Sequence, residues 1–266
     1  MVYITGDTHK RFKRIADFCE RMGTTTDDIM IILGDAGINF SGGERDRYDK
    51  EYLSYLPITL FCIHGNHEMR PYEIPGYKEK EWHGGIVYQE EKYPNILFAK
   101  DGEIYDIAGK KTIAIGGAYS VDKEWRLKMN VGWWESEQPS EEIKKYVESQ
   151  LKKVNWNIDV VLSHTTPWKY EPRETFIKGL DQSKVDDKFP LYEFCLIAYF
   201  SSFLKIAYIL SDFFFCFLGT VNVKFHGGFN RRVSCDFLQS FHVFQSCTVL
   251  CESGKVLVSQ HMRIDM

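Results

Sequence analysis

Residues 58–68 read Ile-Thr-Leu-Phe-Cys-Ile-His-Gly-Asn-His-Glu. Pro57 precedes an apolar run of strand length, Ile58–His64, which stops at Gly65 and delivers Asn66, His67 and Glu68. A short run that is apolar at every position predicts a strand buried on both faces. The same pattern occurs twice upstream. Val2–Thr5 runs into Gly6-Asp7-Thr8-His9, and Ile29–Leu33 runs into Gly34-Asp35. Between the first two runs, Phe12, Ile15, Ala16, Cys19 and Met22 recur at helical spacing, with Gly23 as a stop. A charged helix is expected up to about Leu56. Strand, helix, strand, helix, strand predicts an α/β layer with parallel pairing.

The next stretch is different. Ile86–Tyr88, Ile96–Ala99, Glu103–Ile107 and Thr112–Gly117 are short strand candidates separated by turn residues such as Asp101-Gly102 and Gly109. Closely spaced strands pair antiparallel, so the sheet arrangement should be mixed. Pro139-Ser140-Glu141-Glu142 opens a helix to about Lys153, with acidic residues in its first turn. Asp159–Leu162 is a further strand, and it delivers Ser163-His164.

Polar residues therefore cluster where apolar strands end, the place where open α/β sheets bind ligands. Four strand ends supply Asp7, His9, Asp35, Asn66, His67 and His164. Carboxylate and amide oxygens mixed with imidazoles suit Mn, Fe, Zn or a similar divalent ion rather than a thiolate site. Asp7 and His9 are two residues apart, so in extended chain they would leave on the same side. Asn66 and His67 are adjacent and would point apart, one toward metal and one toward substrate. The glycines before Asp7, Asp35 and Asn66 allow sharp turns and close approach. His64 reads as structural. His83, beside Trp82 and Gly84-Gly85, is a weaker candidate for the cleft wall, and Gly116–Ser120 a candidate border of the site.

In their order and spacing, Gly-Asp-Thr-His at 6–9, Gly-Asp at 34–35, Gly-Asn-His-Glu at 65–68 and Ser-His at 163–164 resemble the calcineurin-like metallophosphoesterases over about residues 1–186. The resemblance implies a four-layer α/β/β/α fold, a sandwich of two mixed β-sheets flanked by helices. It also implies two divalent metal ions as cofactors. Asp7 and His9 would hold one ion and Asn66 and His164 the other, with Asp35 bridging. His67 would protonate the leaving oxygen of a phosphate ester attacked by metal-activated water. Glu68 would orient an imidazole from behind. Arg70 would contact phosphate or lie on the surface. Lys10 departs from the family, where Gly often follows the His, a change that is tolerable if the backbone angle there is ordinary.

The family's last motif, Gly-His-x-His, is missing. The late histidines, His226, His242 and His261, have no second His two residues on. Composition breaks in the same region. Residues 1–188 hold 59 of the 70 charged residues and all six Trp, whereas 189–266 hold 13 of the 19 Phe and five of the seven Cys. This divides the chain into a phosphoesterase domain at 1–188 and an apolar, Phe/Cys-rich tail at 189–266. A change of reading frame near Asp186 accounts for both the lost motif and the foreign composition. The rival readings are a natural apolar segment and a membrane tether. Ile206–Val223 is 18 residues with Asp212 as its one charge. That charge would be costly at the centre of a span, so a membrane is disfavoured. Without the last imidazoles, an inactive relative that binds metal weakly is the alternative to an active hydrolase.

With 33 Lys+Arg against 37 Asp+Glu, the net charge is −4, which argues against a dedicated nucleic-acid binding surface. Charged residues begin by Asp7 and Lys10, so no secretory leader is expected. An odd cysteine count without repeated spacing argues against a disulfide framework. A cytoplasmic protein acting on a phosphorylated substrate fits these features.

Overall fold

The computed structural model describes residues 1–120 and 122–165, and beyond them the backbone of strands at 211–212, 219–224, 230–235, 245–252 and 255–262. The first sheet is built from β1 (Val2–Thr5), β2 (Ile29–Ile32), β3 (Thr59–Cys62), β4 (Tyr77–Trp82), β5 (Gly85–Glu90) and β6 (Ile96–Ala99). Its order is β1-β2-β3-β6-β5-β4. The first four of these run parallel, β5 is antiparallel to β6, and β4 closes a hairpin with β5. The second sheet contains β7 (Ile104–Ile107), β8 (Lys110–Ile115) and β9 (Val160–Ser163). Its other members are β10 (Ser211–Asp212), β13 (Gln245–Glu252) and β14 (Lys255–Met262), in the order β10-β13-β14-β9-β8-β7. β8, β9 and β14 are mutually parallel, while β11 (Gly219–Lys224) and β12 (Asn230–Cys235) form a separate hairpin. Both large sheets are mixed, as the sequence predicts.

The helices are α1 (Lys13–Met22), α2 (Glu44–Ser54), α3 (Lys123–Met129) and α4 (Glu141–Lys153) among the described residues. Three apolar clusters define four layers. On one face of the first sheet, Met30, Ile32, Leu60 and Cys62 pack with Phe12, Ile15 and Cys19 from the α1 region and Leu53 from α2. On the other face, Ile29, Ile31 and Phe61 meet Tyr105, Ala114 and Leu162 of the second sheet. Beyond that, Ile113, Ile115 and Val161 meet Val147 and Leu151 of α4. Strand alternation sends neighbouring residues of β2 to opposite layers, so both faces must be apolar and the strand reads as a continuous hydrophobic run.

Local signals set the helix ends. Gly23 stops α1 in a left-handed conformation (φ 61°) with its N–H donated to the Cys19 carbonyl. The Ser140 side chain accepts from the Ile143 N–H at the start of α4. Met22, expected on the apolar face of α1, is instead exposed at the helix end.

Within residues 1–165, one strand and one α-helix escaped the sequence. β4 (Tyr-Lys-Glu-Lys-Glu-Trp) is an edge strand whose charges face water, so it carries no hydrophobic alternation. α3 exposes Trp125, Leu127 and Met129 and buries Arg126, the reverse of an amphipathic pattern. The domain boundary at 188 lies outside the described residues, as do His226 and His242. No described helix is long and apolar enough to cross a membrane. The 206–223 window lies largely outside the described residues, which within it show strand at Ser211–Asp212 and through most of β11.

Candidate metal centre

The carboxyl ends of β1, β2 and β3 in one sheet and of β9 in the other deliver Asp7, Asp35, Asn66 and His164 to one point between the sheets. Asp7, Asp35, Asn66 and His164 are all buried, and His9 and His67 are partly exposed. His9 Nε2 lies 3.3 Å from Asp7 Oδ2 and 4.0 Å from Asp35 Oδ2. His67 Nε2 is also 4.0 Å from Asp35 Oδ2, and His164 Nε2 is 3.7 Å from it. His164 Nδ1 is 3.8 Å from Asp7 Oδ1. Asn66 Oδ1 lies 2.9 Å from His164 Nε2, and Asn66 Nδ2 donates to Ser120 Oγ at 2.9 Å. Ser120 belongs to the 116–120 segment expected to border the site.

Glycines make this convergence possible. A Cβ on Gly65 would lie 2.0 Å from Asp35 Oδ1, and one on Gly34 would lie 2.1 Å from His164 Nδ1. No side chain fits at either position. Asp35 itself has φ 47°, and its Oδ1 accepts the His67 N–H at 2.8 Å.

Two groups of donors have ligand atoms close enough to share an ion: His9–Asp35–His67 and Asp7–Asp35–His164. Asp35 belongs to both. Its Oδ2 is buried without a hydrogen bond from any described residue, although three imidazoles surround it. A buried acceptor with no donor is unfavourable unless a cation meets it. Two carboxylates, three imidazoles and an amide oxygen match the donors that hold Mn, Fe or Zn, so the residues fit the metals that the sequence implies.

The electrostatics agree. Burial and the neighbouring Asp35 charge push Asp7 up to about 6. Burial would push Asp35 up as well, but His164, His67 and His9 outweigh it and hold this carboxyl below its usual value. Burial disfavours the charged form of His9, yet its hydrogen bond with Asp7 and the Asp7, Asp35 and Glu68 charges raise it on balance. His67 is lowered to about 4, first by burial, with the Arg126 and His9 charges adding to it against the pull of Asp35.

Several expectations need correction. The Asp7–His9 pair does not converge through extended chain. His9 has φ 41° and Lys10 φ 63°, so a left-handed turn folds the imidazole back onto Asp7. The backbone at Lys10 is therefore not ordinary, and a non-Gly residue is strained there. Its ammonium pairs with Asp46 at 3.2 Å and Asp49 at 2.8 Å. Glu68 does not orient an imidazole. It is fully buried, and its oxygens accept the Gly37 and Gly65 N–H groups, which ties the loops after β2 and β3 together. Burial and Asp35 raise it to about 8.

Arg70 is not on the surface. It is buried against Asp101 at 2.5 Å and donates through Nε to the Ser136 carbonyl at 2.7 Å. His64 is buried with neither ring nitrogen bonded among the described residues. His83 sits on the exposed β4–β5 turn, its Nδ1 2.8 Å from the Asp106 carbonyl.

Arg126 was missed altogether. From α3 it reaches His67, with Nη2 2.5 Å from Nδ1 and 2.8 Å from Nε2. The sequence offered no signal for it, because the burial of an Arg on a helix of exposed apolar residues is visible only in the fold. In the second sheet, the register sets Ser259 of β14 beside Ser163 of β9. His261 thus falls two residues past that level, on the strand next to the one that delivers His164.

The calcineurin-like phosphoesterase family model matches residues 1–200. A crystal structure of a protein of unknown function from Aquifex aeolicus is similar at 14% identity. The match covers 64% of this chain and 81% of that one, with a TM-score of 0.30. No curated protein matches.

Proposed function

The chain belongs to the calcineurin-like phosphoesterase family, and from that premise we propose that it catalyses metal-dependent hydrolysis of a phosphate ester at a dinuclear site. The observation that carries this reading is the buried, unbonded Asp35 Oδ2 shared by two donor groups. Asp35 would touch both ions. Asp7, His9, Asn66 and His164 would complete the shells, and His67, its Nε2 4.0 Å from Asp35 Oδ2, would stand beside them on the substrate side. When bound, two divalent ions supply Lewis-acid stabilisation of phosphoryl charge and water of lowered pKa.

The chain's own groups do the rest. Gly34 and Gly65 let the ligand loops close without intervening side chains. Glu68 holds two of these loops in register through backbone N–H groups. His67 enters neutral, because burial lowers it to about 4. A negative phosphoryl group beside it favours the protonated ring, which takes its second proton from solvent as substrate enters and passes a proton from Nε2 to the leaving oxygen.

A second reading has one observation in its favour, the absence of any Gly-His-x-His segment. On that reading the protein is a relative that holds metal weakly and turns over nothing. The tail at 189–266 would then be foreign to the domain at 1–188. Reading the gene one base over after the codon for Asp186 checks this, since a Gly-His-x-His in neither alternative frame rules out frame loss.

Calorimetric Mn²⁺ titration and hydrolysis of an aryl phosphate monoester with added Mn²⁺ separate the two readings. The hydrolase reading expects binding and turnover in the native protein, loss of both in Asp35→Asn, and loss of turnover in His67→Ala. Folded native protein that binds Mn²⁺ but hydrolyses nothing supports the degenerate reading. Folded protein that takes up no Mn²⁺, Zn²⁺ or Fe²⁺ defeats the dinuclear site itself.

A further inference from the structure

Arg126 is a buried cation whose local partners leave one nitrogen for the site. Its side chain is 6% exposed. Nε donates to Asp122 Oδ2 at 2.8 Å, at the N-cap of α3, and Nη1 donates to the Gly132 carbonyl at 2.9 Å, just past the helix. Asp122 and Gly132 thus hold the guanidinium plane from two sides, and Nη2 projects onto the ring of His67. An imidazole is a poor final partner for a buried guanidinium. It brings no negative charge, whereas a phosphoryl oxygen brings charge and matches the planar fork of donors. The one carboxylate bonded to Arg126 among the described residues, Asp122, is 38% exposed at the N-cap of α3.

Resting on the phosphoesterase reading, we propose that Arg126 is a substrate-binding residue. Its Nη2 leaves His67 for a non-bridging oxygen of the phosphoryl group, and this contact selects terminal phosphate monoesters over diesters. A monoester dianion presents three non-bridging oxygens and about two negative charges. A diester presents one oxygen fewer and a single charge. A fixed guanidinium therefore gains more from the monoester. The exchange of partners also frees His67 at the moment substrate arrives, so binding and release of the proton-donating ring are one event. α3 is the element whose sequence departs from amphipathic logic, exposing Trp125, Leu127 and Met129 while burying an arginine. Presentation of that arginine to the site explains the inversion.

The test uses Mn²⁺-loaded full-length protein and inorganic phosphate as the probe, read by calorimetry. Aryl phosphate and bis-aryl phosphate hydrolysis are measured in parallel. Arg126→Ala should weaken phosphate binding about 10- to 100-fold, the scale of a hydrogen bond to a charged group. It should lower the monoester-to-diester ratio of kcat/KM about 10-fold while leaving Mn²⁺ affinity unchanged. Arg126→Lys, which keeps the charge and loses the fork, should fall between. Unchanged phosphate affinity overturns the proposal, and so does a loss that only follows a loss of Mn²⁺ affinity, which marks a structural role.

The two readings fail separately. Native protein that hydrolyses neither ester yet binds phosphate through Arg126 sinks the hydrolase and leaves the binding residue. Native hydrolysis with undiminished phosphate affinity in Arg126→Ala does the opposite. Native protein that hydrolyses a monoester yet binds no phosphate overturns the binding residue and leaves the hydrolase.

Discussion

Replacing Gly34 by Ala tests the junction on which the site depends. Gly34 follows β2 with φ 99°, a backbone conformation that side-chain-bearing residues avoid. Its missing Cβ leaves space for the ring of His164, which arrives from the other sheet and bonds the Leu33 carbonyl through Nδ1 at 2.7 Å. An added methyl would sit 2.1 Å from Nδ1, 2.5 Å from Cγ and 2.9 Å from Cε1. The ring cannot swing aside freely, because Nε2 faces Asn66 Oδ1 at 2.9 Å and Asp35 Oδ2 at 3.7 Å.

Two costs add. Backbone strain at a position that needs Gly is about 1–3 kcal/mol. Stranding the buried Leu33 carbonyl is about 1–3 kcal/mol more. The expected destabilisation is therefore about 2–6 kcal/mol by urea unfolding of metal-free protein. Losing the bond that fixes a ligand imidazole should also weaken Mn²⁺ binding about 10- to 100-fold, measured by calorimetry in whatever fraction remains folded. If Gly34→Ala unfolds within about 0.5 kcal/mol of the native protein, a shift typical of inconsequential surface changes, and binds Mn²⁺ equally well, then His164 does not rest on this glycine and the argument for inter-sheet convergence fails.

Two further outcomes follow from buried charges near the site. Asp101→Ala removes the carboxylate that faces the Arg70 guanidinium in a pair whose side chains are both 4% exposed. A loss of about 3–5 kcal/mol is expected by urea unfolding, and a loss below about 1 kcal/mol would mean that Arg70 finds water or another partner. His64 provides a pH test. Burial first, then the Arg70 and His164 charges, hold its folded pKa well below 6.5. Below pH 6.5 the unfolded chain takes a proton there that the folded chain refuses, so stability rises with pH up to that value and is lost as pH falls beneath it. The loss reaches about 1.4 kcal/mol one pH unit below. In EDTA-treated protein, His64→Phe should gain about that much relative to the native protein between pH 7.5 and pH 5.5, and a pH-independent difference would show that His64 protonates in the fold.

The sequence alone was enough for the strand–helix alternation and for the donors at the strand ends. Strands buried on both faces must be apolar throughout, as in Ile29–Ile32, and their polar termini stand out against that run. Asp7, His9, Asp35, Asn66, His67 and His164 were all legible for this reason. What the sequence carried no mark of was how those residues meet. Asp7 and His9 approach through a left-handed turn at His9 and Lys10, Glu68 turns from imidazoles to backbone N–H groups, and Arg70 goes inside to Asp101. Arg126 joins His67 across 59 residues of chain. Local spacing encodes which face of a strand or helix a residue occupies, because that periodicity is a property of the backbone. Which partner a buried charge finds depends on the packing of one sheet against the other, and that is decided only when layers far apart in the chain close on the same small volume.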